Sequence, residues 1–274
     1  MFFGFTGKQR YIDDAAAGWL IETFAWALRN FGAAVFYEET RLVVPTNEHF
    51  PGRADSAQGM ARLVFDHVAR YAGMGHWPFG VADQAQCSIG APTRVEIRGA
   101  LRGSKGLPAS ETDEAHSLTV VYDPQLIGNP EALIATYAHA LAYYLGQLAR
   151  EPPPGGTDTW PQATEALAVF MGFGLMFANS AFSVHVRSCA SCGGAAAQRR
   201  AYLTQHQSTY ALALFSVLKG IPNKAVVRHL KPSLRPCYRA CVKEIRGKRE
   251  ALERLRAISA EPPALTAGAL ALPS

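Results

Sequence analysis

A histidine and a tyrosine one helical turn apart, and two close pairs of cysteines, are the residues of this chain whose types and spacing suit chemistry. The stretch 134–145 reads Ile134-Ala135-Thr136-Tyr137-Ala138-His139-Ala140-Leu141-Ala142-Tyr143-Tyr144-Leu145. Side chains at i and i+4 of a helix lie one above the other on one face. A hydrolytic zinc helix uses that spacing for two histidines. A glutamate at i+1 activates the bound water, and a third ligand comes from a later helix. In that frame His139 fills the first ligand position, Ala140 stands where the general base belongs, and Tyr143 stands where the second histidine belongs. Losing a positioned base costs about 10²–10⁴-fold in rate. Read from the residues alone, His139 is a lone histidine on an alanine-rich helix, which more often belongs to a core than to a metal site.

The cysteines offer a second chemistry. Cys189-Ala190-Ser191-Cys192-Gly193-Gly194 is a CxxC followed by glycines, the pattern of a zinc knuckle or a redox turn. Cys237 and Cys241 share one face of a helix, and the four thiolates together would make a structural zinc set. The plainer reading is packing, because a free cysteine behaves as a small hydrophobe. Five cysteines in 274 residues are too few, and odd in number, for a secreted disulfide scaffold. A cytoplasmic protein is expected.

Further blocks accompany the His139 helix. They are Thr164-Glu165-Ala166-Leu167-Ala168-Val169-Phe170-Met171-Gly172-Phe173-Gly174-Leu175-Met176-Phe177-Ala178-Asn179, then Tyr202-Leu203 with Tyr210-Ala211-Leu212-Ala213-Leu214-Phe215 and Lys219-Gly220, and lastly His229-Leu230-Lys231-Pro232. In order and spacing, residues 130–245 resemble a family of uncharacterised bacterial proteins that carry a zincin-like, gluzincin-type HExxH helix; residues 1–129 match more loosely. The resemblance implies a zincin-like core and metallopeptidase ancestry. It places His139 at the first ligand and Glu165 at an acidic third-ligand position, with Ala140 and Tyr143 as the degenerate positions. Two remaining ligands are too few for a tight catalytic zinc. The expected protein is therefore a pseudoenzyme without cofactor, whose cleft of His139, Tyr143 and Glu165 takes a peptide or protein partner. Glu165 has a plainer use too, since a carboxylate in a first turn favours the helix dipole. The alternative is an active metal-dependent hydrolase in which His116, His185 or His206 completes a rearranged site.

The elements that must position these residues are mostly helical. The apolar periodicity predicts helices over about 13–30, 54–71, 130–150, 161–178, 202–219, 223–229 and 234–258, with Asp13 or Asp14 capping the first and Pro130 and Pro161 opening two others. Residues 94–98 and 117–122 read as strands and are expected to pair antiparallel across a glycine-rich loop. The fold class is α+β: one domain over 1–258, with helices and a small antiparallel sheet in 1–129, a helical part in 130–258, and a loose tail over 259–274. Gly172 and Gly174 are expected to let helices approach closely, against the small face of Ala132, Ala135 and Gly146.

Composition excludes other classes. With 49% apolar and 18% charged residues the chain is too apolar for a disordered protein. The apolar runs 132–149 and 166–178 fall short of the roughly 20 residues of a membrane span, so no span is expected. The net charge of +5 is unevenly spread: residues 187–256 hold 15 Lys/Arg against 3 Asp/Glu. Lys243, Arg246, Lys248, Arg249, Arg254 and Arg256 cluster at its end, so nucleic-acid backbone is a second candidate partner, through 243–256.

Overall fold

A computed structural model of the chain describes residues 10–84, 95–108, 118–180, 201–258 and 268–270. Its helices begin where polar side chains satisfy first-turn amides. Asp13 accepts the Ala16 amide at 2.6 Å and opens α1, Asp14–Phe31. Ser56 does the same for α2, Ala57–Tyr71, and Asn129 for α3, Pro130–Gly146, which carries its proline in the first turn. A long apolar rod follows. It comprises α4, Trp160–Ala168, a π turn over Val169–Phe173, and α5, Gly174–Ser180. Thr204 and Gln207 form a reciprocal capping box for α6, Gln205–Leu218. Then come α7, Asn223–Val227, α8, Arg235–Gly247, and α9, Arg249–Ala257.

The protein is mostly helical α+β, as expected from its sequence. Among the described residues one large apolar cluster runs from Ala17 to Leu255. The rod is its axis, with α3, α1 and α6 packed against it, α8 on α6 and α2 on α3. Thr157–Ser180 is long and apolar enough to cross a membrane, but 94% of its apolar window is buried inside the protein. Three of the four tryptophans gather where α3 turns into the rod. Trp19 Nε1 donates to Pro154 O at 2.8 Å, Trp26 Nε1 donates to Glu151 O at 2.9 Å, and the Trp160 ring stands edge-on to Trp26 at 5.8 Å.

Three expectations are corrected. The strand segments do not pair with each other. β4, Leu118–Tyr122, runs parallel to β1, Phe79–Asp83, in register Phe79↔Leu118. β2, Val95–Gly99, instead pairs antiparallel with β3, Gly106–Leu107, and with β5, Gly268–Leu270. The glycine-rich loop is the cause: Gly99 and Gly103 take φ of 73° and 86°, folding the chain straight back onto β2.

The expected helix 161–178 is broken at Gly172, where φ is 104°. A Cβ there would overlap the Arg41 carbonyl oxygen, and Val43 N donates to Gly172 O at 3.0 Å. The close neighbour of Gly172 is thus the extended chain at 41–43, whereas Gly174 approaches Leu212 of α6. Gly146, of the expected small face, packs between α3 and the rod, lying against Trp160 and Leu167. The expected helix 234–258 is also two helices. Lys248 (φ −86°, ψ 60°) breaks it, and α9 turns toward α1, where Arg254 pairs with Glu22 and Tyr37 Oη donates to Leu255 O.

Candidate functional site

Helix α3 is buried on nearly every side. Between Ala132 and Gly146 every residue is buried except His139 and Tyr143, which are half-buried one turn apart. The spacing read from the sequence therefore puts both on the one half-buried strip of the helix. Ala140, at the base position, is buried and offers no donor or acceptor. The opposite side of α3 faces α2 and the β1–β4 pair. There Tyr137 packs edge-on against Phe65 at 5.2 Å, and burial pushes its phenol far above the ordinary range. Tyr144 Oη donates to Thr119 O at 3.0 Å and is pushed up to about 12, by burial first and the neighbouring Tyr143 second.

Glu165 is fully buried on α4, and its carboxylate accepts the Leu203 amide at 2.8 Å. A carboxylate held this way fixes the chain at the entry of α6. Asn179, at the end of the rod, does comparable work. Its Nδ2 donates to Glu131 Oε1 at 3.2 Å and to His229 O at 2.9 Å, while its Oδ1 accepts the Lys231 amide at 3.0 Å. The sequence blocks around Glu165, Leu203, Asn179 and 229–231 are thus joined by side chain to backbone hydrogen bonds.

A catalytic zinc needs three protein ligands and an open position. Among the described residues no group of three or more His, Cys, Asp or Glu side chains could hold a metal ion. With Ala140 and Tyr143 in the frame and the Glu165 carboxylate accepting the Leu203 amide, the described residues do not by themselves assemble the three ligands of a catalytic zinc. His206 is exposed in the first turn of α6, its ring 5.4 Å from that of Tyr11. His116 and His185 lie outside the described residues, as do Cys189 and Cys192. Cys237 and Cys241 are buried side by side on α8, with their sulfurs 3.9 Å apart. The hydrogen bond to Cys237, followed by burial, pushes the Cys241 thiol up.

Two basic side chains, Arg102 and Lys219, have structural roles that their sequence neighbourhood does not announce. Arg102 is buried where the 40–43 chain crosses the rod. Its Nε donates to Ala72 O at 2.8 Å, one terminal nitrogen donates to Thr40 Oγ1 at 3.2 Å, and the guanidinium lies over the Phe170 ring at 5.5 Å. Burial lowers it to about 10, against the opposing pull of Glu39. Lys219 Nζ donates to Phe36 O at 2.7 Å and to Tyr37 O, filling carbonyls of the π turn Val35–Glu39. The sole advance signal for either was a basic residue next to glycine. A groove of about 430 Å³ opens between α2 and β1 over Phe65, Met74, Trp77 and Phe79, with Arg62, Asp66 and Arg70 at its mouth. It does not include His139, Tyr143 or Glu165.

No protein-family model, curated protein or solved structure matches the chain.

Proposed function

We propose that this chain is a non-hydrolytic binding protein built on a zincin-like helix pair, in which the α3 strip of His139 and Tyr143 receives a peptide or protein segment in the cytoplasm. One observation carries the reading: along Ala132–Gly146 those two side chains alone are half-buried, every other one being buried, and the sequence between them holds no carboxylate. An imidazole and a phenol one turn apart can exchange hydrogen bonds with a peptide backbone, but this pair includes no group to activate water. The bond from the Leu203 amide to Glu165 supports a structural role for the carboxylate that the family resemblance makes a third ligand.

The test is the metal content of purified, untagged protein by mass spectrometry, for the parent and for the Ala140→Glu/Tyr143→His double variant. The parent is expected to carry no stoichiometric zinc, and the double variant to acquire it. One zinc per parent chain, lost on His139→Ala, would overturn the reading.

A further inference from the structure

The described surface of α8 is organised differently from that of the other helices. Arg235, Arg239, Lys243 and Arg246 are spaced by four, four and three residues. At 100° per residue they fall within about 80° of arc, and they extend over about 16 Å of helix. The facing arc carries Cys237, Tyr238, Cys241, Val242 and Ile245, all buried against the core. The cations therefore stand in a row on the outer side. Arg239, Lys243 and Arg246 are exposed, and none forms an ion pair with a described acidic residue; Arg235 is half-buried, with its Nε donating to Leu230 O at 3.0 Å and its terminal nitrogens left to extend the row. Glu244, the one acid of α8, lies off the row and is engaged by Lys248 at 3.6 Å and by the Tyr210 hydroxyl at 3.4 Å. The chain leading into α8 adds three exposed cations, Lys224, Arg228 and Lys231.

From this geometry we infer that the outer face of α8 binds the phosphate backbone of duplex nucleic acid without reading its sequence. A row of 16 Å spans about five phosphates of one strand. The surroundings select against other anionic partners. A bilayer surface calls for apolar side chains that can enter the headgroup layer, and base stacking on a single strand calls for exposed aromatics. The large exposed hydrophobics among the described residues are Leu107 and Tyr202, neither of them on α8. What α8 presents is charge at regular spacing, which positions a protein on a backbone and specifies no base. This surface is distinct from the His139 strip, and its binding requires nothing of that site. It also moves the charge focus from the expected 243–256 to 235–246, because Arg254 is spent on Glu22 and α9 packs toward α1.

The test is fluorescence anisotropy of a labelled mixed-sequence 20-base-pair duplex with the full-length chain between 50 and 200 mM salt. Four phosphate contacts predict a log–log salt slope between about −3 and −4, a loss of roughly 10²-fold in affinity over that range. The Arg239→Ala/Lys243→Ala/Arg246→Ala variant should flatten the slope by about 3. An Arg53→Ala/Arg62→Ala/Arg70→Ala variant removes the same charge elsewhere and should keep the slope within about 1. Three outcomes would overturn the proposal: no binding at 50 mM salt, equal losses in the two variants, or preferential binding to phosphatidylserine vesicles that the duplex cannot displace.

Discussion

The α3–α4 pair and α8 treat their polar residues in opposite ways. In the first, and in the rod that continues it, the buried polar side chains are engaged by the architecture, while His139 and Tyr143 stay half-buried. Glu165 holds the Leu203 amide, Asn179 ties the rod to residues 229–231, and Tyr144 reaches a strand carbonyl. In α8 the core-facing half is filled by apolar residues and two cysteines, while Arg239, Lys243 and Arg246 on the other half are exposed and form no ion pair with a described acidic residue. Burying an ion or an amide without partners is costly, so the core accepts such a group only when backbone compensates it. A cation left in water carries no such obligation. The difference teaches where to look for binding: a polar residue already engaged inside the protein is a poor candidate, and an ordered row outside is a better one.

Mutations can break or sharpen that contrast. The largest effect is expected for Gly172→Ala, which forces a positive φ and places a methyl on the Arg41 carbonyl. It should lower stability by at least about 3 kcal/mol in urea titration. Next, Glu165→Ala should cost about 2 kcal/mol by leaving a buried amide unmatched, and Glu165→Gln, which keeps an acceptor, should cost clearly less. Equal costs for the two would mean that the carboxylate's charge matters more than its bond to Leu203. The triple alanine variant of α8 should change stability by no more than about 0.5 kcal/mol, since surface sites away from caps and cores are tolerant. A larger loss would make α8's row structural and erase the contrast.

His76 belongs to neither region and gives the smallest effect. Burial lowers its pKa, against the hydrogen bond with Ala100 O. The unfolded chain then takes up the proton first. Stability should be full above about pH 6.5 and fall as the pH drops from there toward the lower folded value. Thermal melts between pH 7.5 and 5.5 should show a gentle decline, and His76→Gln should flatten it.

Much of the helical framework was legible because its signals are local. Asp13, Ser56 and Asn129 each cap a helix within three residues of their own position, and Pro130 marks a first turn. The pairing of His139 with Tyr143 on one strip follows from helical spacing alone. What stayed hidden depends on partners far along the chain. Gly172 breaks its helix for the sake of residues 41–43, and Glu165 serves an amide 38 positions away. Strand character in 117–122 was visible, but its partner was not, because period-2 alternation carries no information about which edge a strand will join. Arg102 belongs, by sequence, to the glycine-rich loop after β2. Its burial depends on Thr40, Ala72 and Phe170 converging on it, which no window of neighbouring residues reveals.

The gathering of Trp19, Trp26 and Trp160 has a practical consequence for anyone following this protein in solution. Intrinsic emission should therefore be weighted toward one corner, the turn at 150–156, to whose carbonyls the Trp19 and Trp26 indoles donate. Trp77, the fourth fluorophore, sits beside the α2 groove, its indole bonded to Leu101 O at 2.9 Å. The described part of α8 contains no indole at all. Unfolding of the α1–rod junction should register strongly in such a spectrum, whereas occupancy of the outer face of α8 should leave it dark and call for an extrinsic dye.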